Sequence, residues 1–312
     1  MALDRVLADP ARWHPVAGFG RAATVLEMGM YRRSRLSGAA FTVIGVGAPV
    51  AAGVALSRLT RGRLIAQAAL TAAATWAVLG GTSLAREGRL MAAHLEAGDL
   101  HAARARLPHL CGRDPAEMDV DGLARATVES LAENTSDAVV GPLLWGAVAG
   151  VPGLVGYRAV NTLDAMVGYR SPRYQRFGWA SARLDDLANV VPARVTALLT
   201  VVAAPAVGGG VPDAWQVMRR DGRRHPSPNA GWCEAAAAGA LGVRLGGANS
   251  YGGRIERRPI LGEGAPPTAA DLRRAVLLTR LVGLAATMVA VGMALAVTGR
   301  RRRESAGRDG QA

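Results

Sequence analysis

The sequence predicts an all-α, polytopic integral membrane protein with four to five membrane segments, one of them either spanning or re-entrant. Three observations carry this. Apolar residues make up 50% of the 312-residue chain and are clumped rather than periodic. Several clumps match the roughly 17–25 residues that a spanning helix needs. Gly and Ala recur throughout, as expected where membrane helices approach closely.

In chain order, Met1–Pro15 holds two Asp, two Arg and a His, so no cleavable signal peptide is expected. The first two spans are Ala39–Leu56 and Leu64–Ala85. Residues 86–137 follow as a polar helical segment, with Leu100, Ala103, Leu107 and Leu110 on one helical face. "GRDP" breaks that pattern. A second amphipathic helix then places Val120, Ala124, Thr127 and Leu131 on one side, and Arg125, Glu129 and Glu133 on the other. Ala138–Tyr157 carries no charge but seven Gly and Pro residues, which favours either a clean span or a discontinuous, re-entrant one. A polar loop at 158–186 leads into a further span, Leu187–Val207. Arg194 within it should face a bundle interior or a watery cavity. A long Gly/Pro-rich polar loop, 208–271, precedes the last span, Leu281–Val297, and a basic tail at 300–312 is expected to be disordered. The whole chain reads as a single membrane-embedded domain without internal repeats. Arg counts between spans show a similar bias under either topology, so they do not choose between them.

Composition narrows the chemistry. All 37 basic side chains are Arg, giving a net charge of +13 with no Lys. A P-loop lysine and a Schiff-base lysine are therefore both excluded. The Arg residues lack interleaved aromatics in a stacking pattern, so nucleic acid is not an expected partner. Cys111 and Cys233 lie far apart, outside any CxxC pair, and read as ordinary buried or interfacial thiols.

Four polar stretches could carry chemistry. In "VESLAENTSD", Glu129, Glu133 and Asp137 recur at four-residue intervals, with Asp137 either continuing the stripe or opening the next helix. Like charges so spaced favour a bound cation or a nearby Arg. In "YRAVNTLDAMVGYR", Arg158, Asn161 and Asp164 share one helix edge, and such a mixture suits a hard cation or phosphate. In "RFGWASARLDDLANVVPAR", Arg183, Asp185, Asp186 and Asn189 precede Arg194. The adjacent aspartates face different ways, so at most one should join a shared site. In "DGRRHPSPNAGWCEAAAAGALGVRLGG", a rigid turn leads into a small-residue helix, with Asn229 and Gly231 near a helix N-terminus suited to an anion.

These words, together with "ESLAENTSDAVVGPLLWG" and "DRVLADPARWHPVAGFGR", closely resemble the CobD/CbiB family of cobalamin biosynthesis membrane proteins, the adenosylcobinamide-phosphate synthases, over nearly the whole chain. Members commonly carry an apolar segment ahead of the opening words. Either such a segment precedes the present start, or this member has one span fewer. The resemblance implies a multi-pass plasma-membrane ligase in contact with the lipid bilayer. It would couple adenosylcobyric acid, through its ring D propionate, to (R)-1-amino-2-propanol or its O-phosphate, with ATP and magnesium as co-substrate and metal. A homo-oligomer or other enzymes of cobalamin synthesis are the protein partners expected.

On that basis Glu129, Glu133 and Asp137 would bind magnesium or the amine. Asp164 and one of Asp185 and Asp186 would be further metal or base candidates. Arg158, Arg170, Arg183 and Arg224 would grip phosphate or corrin carboxylates, beside His225, and Asn161 and Asn229 would orient them. Two other classes share some of these features. CDP-alcohol phosphotransferases carry a D-G-x-x-A-R pattern that "DAMVGYR" lacks, and a corrinoid-binding or transport protein would also use broken helices and buried Arg.

Overall fold

The structure, a computed structural model, describes the backbone of residues 15–251 and 254–309, so the signal-peptide reading and most of the family-like opening words lie outside the described residues. The helices are α1 (Pro15–Met30), α2 (Arg35–Leu59), α3 (Leu64–Val78), α4 (Gly81–Glu96), α5 (Leu100–Arg106), α6 (Val120–Thr135), α7 (Gly141–Val167), α8 (Tyr174–Phe177), α9 (Trp179–Ala188), α10 (Val190–Ala203), α11 (Val211–Asp221), α12 (Ala230–Leu241) and α13 (Ala269–Asp309). One antiparallel hairpin, β1 (Leu245–Tyr251) and β2 (Arg254–Leu261), interrupts them. Five helical stretches among the described residues are long and apolar enough to cross a membrane: Arg35–Leu59, Leu64–Glu96, Val120–Val167, Val190–Val207 and Ala269–Val297. The chain is thus an all-α polytopic membrane protein, as its hydropathy predicts.

The chain groups into two compact units, each assembled from separate stretches of sequence. Residues 79–140 and 186–284 form the first, and residues 15–78, 141–185 and 285–309 the second.

In the second unit, Gly141–Val167 settles how the broken apolar segment folds. Gly150 has φ +65° and ψ −147°, a conformation open to glycine and closed to residues with a Cβ. In a continuous helix, residues sixteen apart would be separated by about 24 Å. Here any Cβ on Gly141 would collide with the Tyr157 ring, and one on Gly146 would meet Leu154 Cδ2 at 2.7 Å. The two arms of α7 therefore fold back on each other at Gly150, so the segment is a discontinuous helix and not a straight one. Small residues set the helix contacts here as expected. A Cβ on Gly156 would meet Val50 at 2.8 Å, and one on Gly45 would meet Leu163 at 2.8 Å. Phe41, Leu163, Val167, Phe177 and Ala23 make the apolar core.

In the first unit, the span expected at Leu64–Ala85 ends early. α3 stops at Val78, and Gly80 donates its N–H to the Ala138 carbonyl at 3.0 Å. α4 then buries Leu84, Gly88, Met91, Ala92 and Leu95. α6 begins at Asp119, whose carboxylate accepts from Gly122 N–H at 2.8 Å. Its expected apolar face is buried at Ala124, Thr127 and Leu131, but Val120 is exposed. The acid face is not a solvated stripe, because Glu129 is 1% exposed. α6 ends in a π-helical turn, Ser136–Val140, a geometry that recurs at functional sites.

The loop expected at 208–271 is mostly ordered. α11 and α12 fill its first half and the hairpin its second. α13 continues as helix through Asp309, past the start of the expected disordered tail, in keeping with the helix propensity of its arginines. Cys111 is half-buried, and Cys233 is buried with its thiol donating to the Ala193 carbonyl at 3.6 Å.

Candidate active site

A closed polar centre lies within the first unit, assembled from α6, α12, β1, β2 and two loops. Glu129 is its floor. Oε2 pairs with the Arg113 guanidinium, which is itself buried, and Oε1 accepts from Gly246 N–H at 2.6 Å. That N–H is available because the hairpin register slips between Leu245 and Gly247. Gly246, at φ +84°, is the bulged residue, and a bulge leaves its amide off the ladder. Arg125, one turn earlier on α6, donates to the Gly246 carbonyl and to the Ala248 carbonyl, the latter at 2.8 Å. An acid and a base on one helix thereby clamp both sides of the same bulge. The strand continues through buried Asn249, neither of whose side-chain polar atoms has a hydrogen-bond partner.

Glu234, on α12, is fully buried with no hydrogen bond to either carboxylate oxygen. Oε2 lies 3.7 Å from His225 Nε2 and Oε1 3.9 Å from Arg258 Nη1. Burial first, then the neighbouring Glu129 and Glu133 carboxylates, push Glu234 well above the usual carboxylate range. His225 goes the other way. Burial, then the Arg258 charge, lowers it to about 4, so it is neutral at physiological pH. Its Nδ1 lies 3.1 Å from the Ser227 amide nitrogen, and its Nε2 faces Glu234. Arg258 Nη1 stands 3.2 Å from the same ring nitrogen. One carboxyl group paired with Arg113 and another driven towards its neutral form, beside a neutral imidazole, are suited to moving a proton and steadying an anion.

Glu133 is half-buried one turn beyond Glu129, within electrostatic reach of Arg258 and Arg113. Asp137 is half-buried in the π-helical turn. Asn229, the residue before α12, is committed. Its amide donates to the Asp186 carbonyl at 2.7 Å and its Oδ1 accepts from Arg194 at 2.6 Å. Arg194 thus faces protein, as membrane depth requires. Arg224 is mostly exposed and pairs with Asp221 at 3.2 Å, away from the buried centre.

The second unit holds the other expected residues. Arg158, Asn161 and Asp164 lie half-buried on the second arm of α7, and Asn161 Nδ2 is 3.5 Å from Asp185 Oδ1. Arg170 and Arg183 are exposed there. The aspartate pair is divided, Asp185 falling in the second unit and Asp186 in the first. Among the described residues no group of three or more His, Cys, Asp or Glu side chains is arranged to hold a metal ion.

Three members of the centre carried no assigned role in the sequence. Glu234 had a visible signal, as a single acid in the alanine run "CEAAAAGAL". Arg113 lay in "GRDP", read only as a helix break, and Arg258 lay in a segment read as loop.

Fold and centre together define a class: a helical polytopic membrane protein with a sequestered centre of acids, guanidiniums and one imidazole. The chain belongs to the CobD/CbiB family of cobalamin biosynthesis proteins, whose model, described as CobD/Cbib protein, matches residues 1–279. It is 59% identical to the cobalamin biosynthesis protein CobD of Mycobacterium tuberculosis (strain CDC 1551 / Oshkosh), over 93% of this chain and 92% of that protein. The proteins of the same name from Geobacter metallireducens and Chromobacterium violaceum are 45% and 44% identical, over 87% and 89% of this chain and the same shares of theirs. No solved structure matches the chain.

Proposed function

We propose that this protein is an ATP-dependent amide ligase of the plasma membrane, joining aminopropanol or its O-phosphate to the ring D propionate of adenosylcobyric acid. Membership of the family along nearly the whole chain supports the pathway. The observation that carries the reaction type is the buried Glu234–His225–Arg258 group, whose carboxyl has no hydrogen-bond partner and whose proton affinity is raised.

A carboxylate resists amines because resonance and charge oppose attack, so it must be activated. Transfer of the γ-phosphoryl group of ATP to the propionate gives an acyl phosphate and ADP. Attack by the free amine at that carbonyl forms the C–N bond and expels inorganic phosphate. The amine arrives as an ammonium ion and must lose a proton, and a carboxylate with raised proton affinity is the better acceptor for it. Glu234 takes that role in its ionised form. Arg258 and Arg113 steady the developing negative charge, with the neutral His225 ring beside them. Burial excludes the water that would hydrolyse the acyl phosphate.

Magnesium would shield the triphosphate and polarise its transferred phosphoryl group. Magnesium bound with a nucleotide takes one or two carboxylates and completes its shell with phosphates and water. Glu129 does not fit as a ligand, since both its oxygens are engaged. Glu133, half-buried beside it, fits that smaller demand.

Membranes containing the protein, incubated with adenosylcobyric acid, aminopropanol phosphate, magnesium and ATP, should yield a corrinoid heavier by the amine minus water, and only with ATP present. Glu133→Gln should abolish that product while the protein remains in the membrane fraction. Bound but unconverted corrinoid would instead support a binding or transport role, and turnover preserved in Glu133→Gln would remove that residue from the centre.

A further inference from the structure

A cavity in the first unit, of about 310 Å³, lies beside Trp232, two residues before Glu234 on α12 and so on the opposite side of that helix. Its size is at the low end of small-molecule sites, roughly 300–1,000 Å³. Its walls carry three guanidiniums, two indoles and no acid. Arg194 and Arg223 both lie over the Trp232 ring, 5.1 and 5.8 Å from its centroid, and Arg219 lies 5.7 Å from that of Trp215.

The other arginines of the same stretch show what is unusual. Arg220 pairs with Asp221 at 2.7 Å and with Glu263, and Arg224 pairs with Asp221. Asp221 is buried and further held by Gly262 N–H at 2.9 Å, so its capacity is spent. Arg194, Arg219 and Arg223 have no carboxylate partner among the described residues. Two like charges against one indole, with a third across the cavity, repel one another unless an anion joins them. Guanidinium forks match the tetrahedral oxygens of a phosphate, and an indole face accepts a ring or an alkyl chain.

We propose that this cavity binds a phosphate ester, with its phosphoryl oxygens among Arg194, Arg219 and Arg223 and its organic part against Trp232 and Trp215. The ester could be supplied in water, as a nucleotide or an alkyl phosphate, or by a lipid headgroup, since Trp215 and Leu198 are partly exposed beside the apolar stretch Val190–Val207. The inference stands apart from the ligase reading because its readout is binding. ATP bound here without product formation would sink the ligase and leave this site intact, and product formation without binding here would do the reverse.

The test uses the full chain in nanodiscs. In phosphatidylcholine discs, ATP and O-phosphoethanolamine are titrated by calorimetry. In discs containing phosphatidylglycerol, retained lipid is counted by native mass spectrometry. The comparison is Arg219→Ala/Arg223→Ala, two exposed side chains whose loss leaves no buried charge, with its melting temperature confirming the fold. Binding of a soluble ester that weakens at least tenfold in the variant and with added salt supports the site and an aqueous source. Phosphatidylglycerol retained by the wild type and lost in the variant supports the site and a lipid source. No binding of any probe, or equal binding by both proteins, overturns the proposal.

Discussion

A glutamate in the middle of an alanine-rich helix is costly to bury, and Glu234 has no hydrogen bond to offset the cost. The protonated form is the cheaper one, which burial enforces. If Glu234 accepts the amine proton, turnover requires its ionised form. The rate should then rise as pH climbs through the raised value, and Glu234→Gln should remove that limb and lower kcat roughly 10²–10⁴-fold. A pH profile of both proteins checks it, and an unchanged profile in the variant would exclude the role. His225 gives a separate stability signal. Its folded value, about 4, lies below the ordinary 6.5, so folding is favoured by the neutral ring above pH 6.5. That contribution is lost as pH falls from 6.5 towards 4 and amounts to about 3 kcal/mol across the window. The melting temperature in detergent should drop over that range, and His225→Gln should flatten the drop. Glu129 and Glu133 stand out in the sequence by their spacing, whereas His225 is there only a lone turn histidine, a weak signal. Arg113 and Arg258 do not stand out, because each acquires meaning only from a carboxylate that folding brings to it from a distant segment.

Among the elements, α7 shapes the second unit and the hairpin positions the centre of the first. The Gly and Pro content of Ala138–Tyr157 announced a broken helix, but whether it ran straight or turned back depended on the backbone angles at one residue, Gly150. Cysteines at Gly146 and Leu154 test this in a Cys111→Ser/Cys233→Ser background. They should cross-link readily across the folded arms, whereas in a continuous helix they would be about 12 Å apart and would not. The hairpin escaped the sequence because "LGGANSY" lacks period-two alternation and "RIERRPIL" contains a proline and three arginines, all weak strand signals. Its register is set instead by the clamp of Arg125 and Glu129 on the Gly246 bulge. That clamp also accounts for an acidic face turned inward on α6. The face was legible and its burial was not, since a helix wheel shows which residues share a side and not what covers it.

For the whole molecule, hydropathy was the most legible property, because uncharged runs of spanning length can be counted directly, and the five apolar helices follow from it. The grouping into two units was invisible, since each is stitched from segments that residues of the other unit interrupt along the chain. The first unit encloses a centre in which the Glu234 carboxyl, the His225 imidazole and the Arg113 guanidinium are buried, with Arg258 at its edge. Such an enclosure suits a reactive acyl phosphate more than it suits simple passage of a bulky corrinoid. The fate of the propionate oxygen tests this most directly. Adenosylcobyric acid labelled with ¹⁸O in the ring D carboxylate should, after one turnover with ATP and the amine, transfer one labelled oxygen to the released inorganic phosphate. Amide product accompanied by unlabelled phosphate, or ATP hydrolysis without amide, would contradict the mechanism.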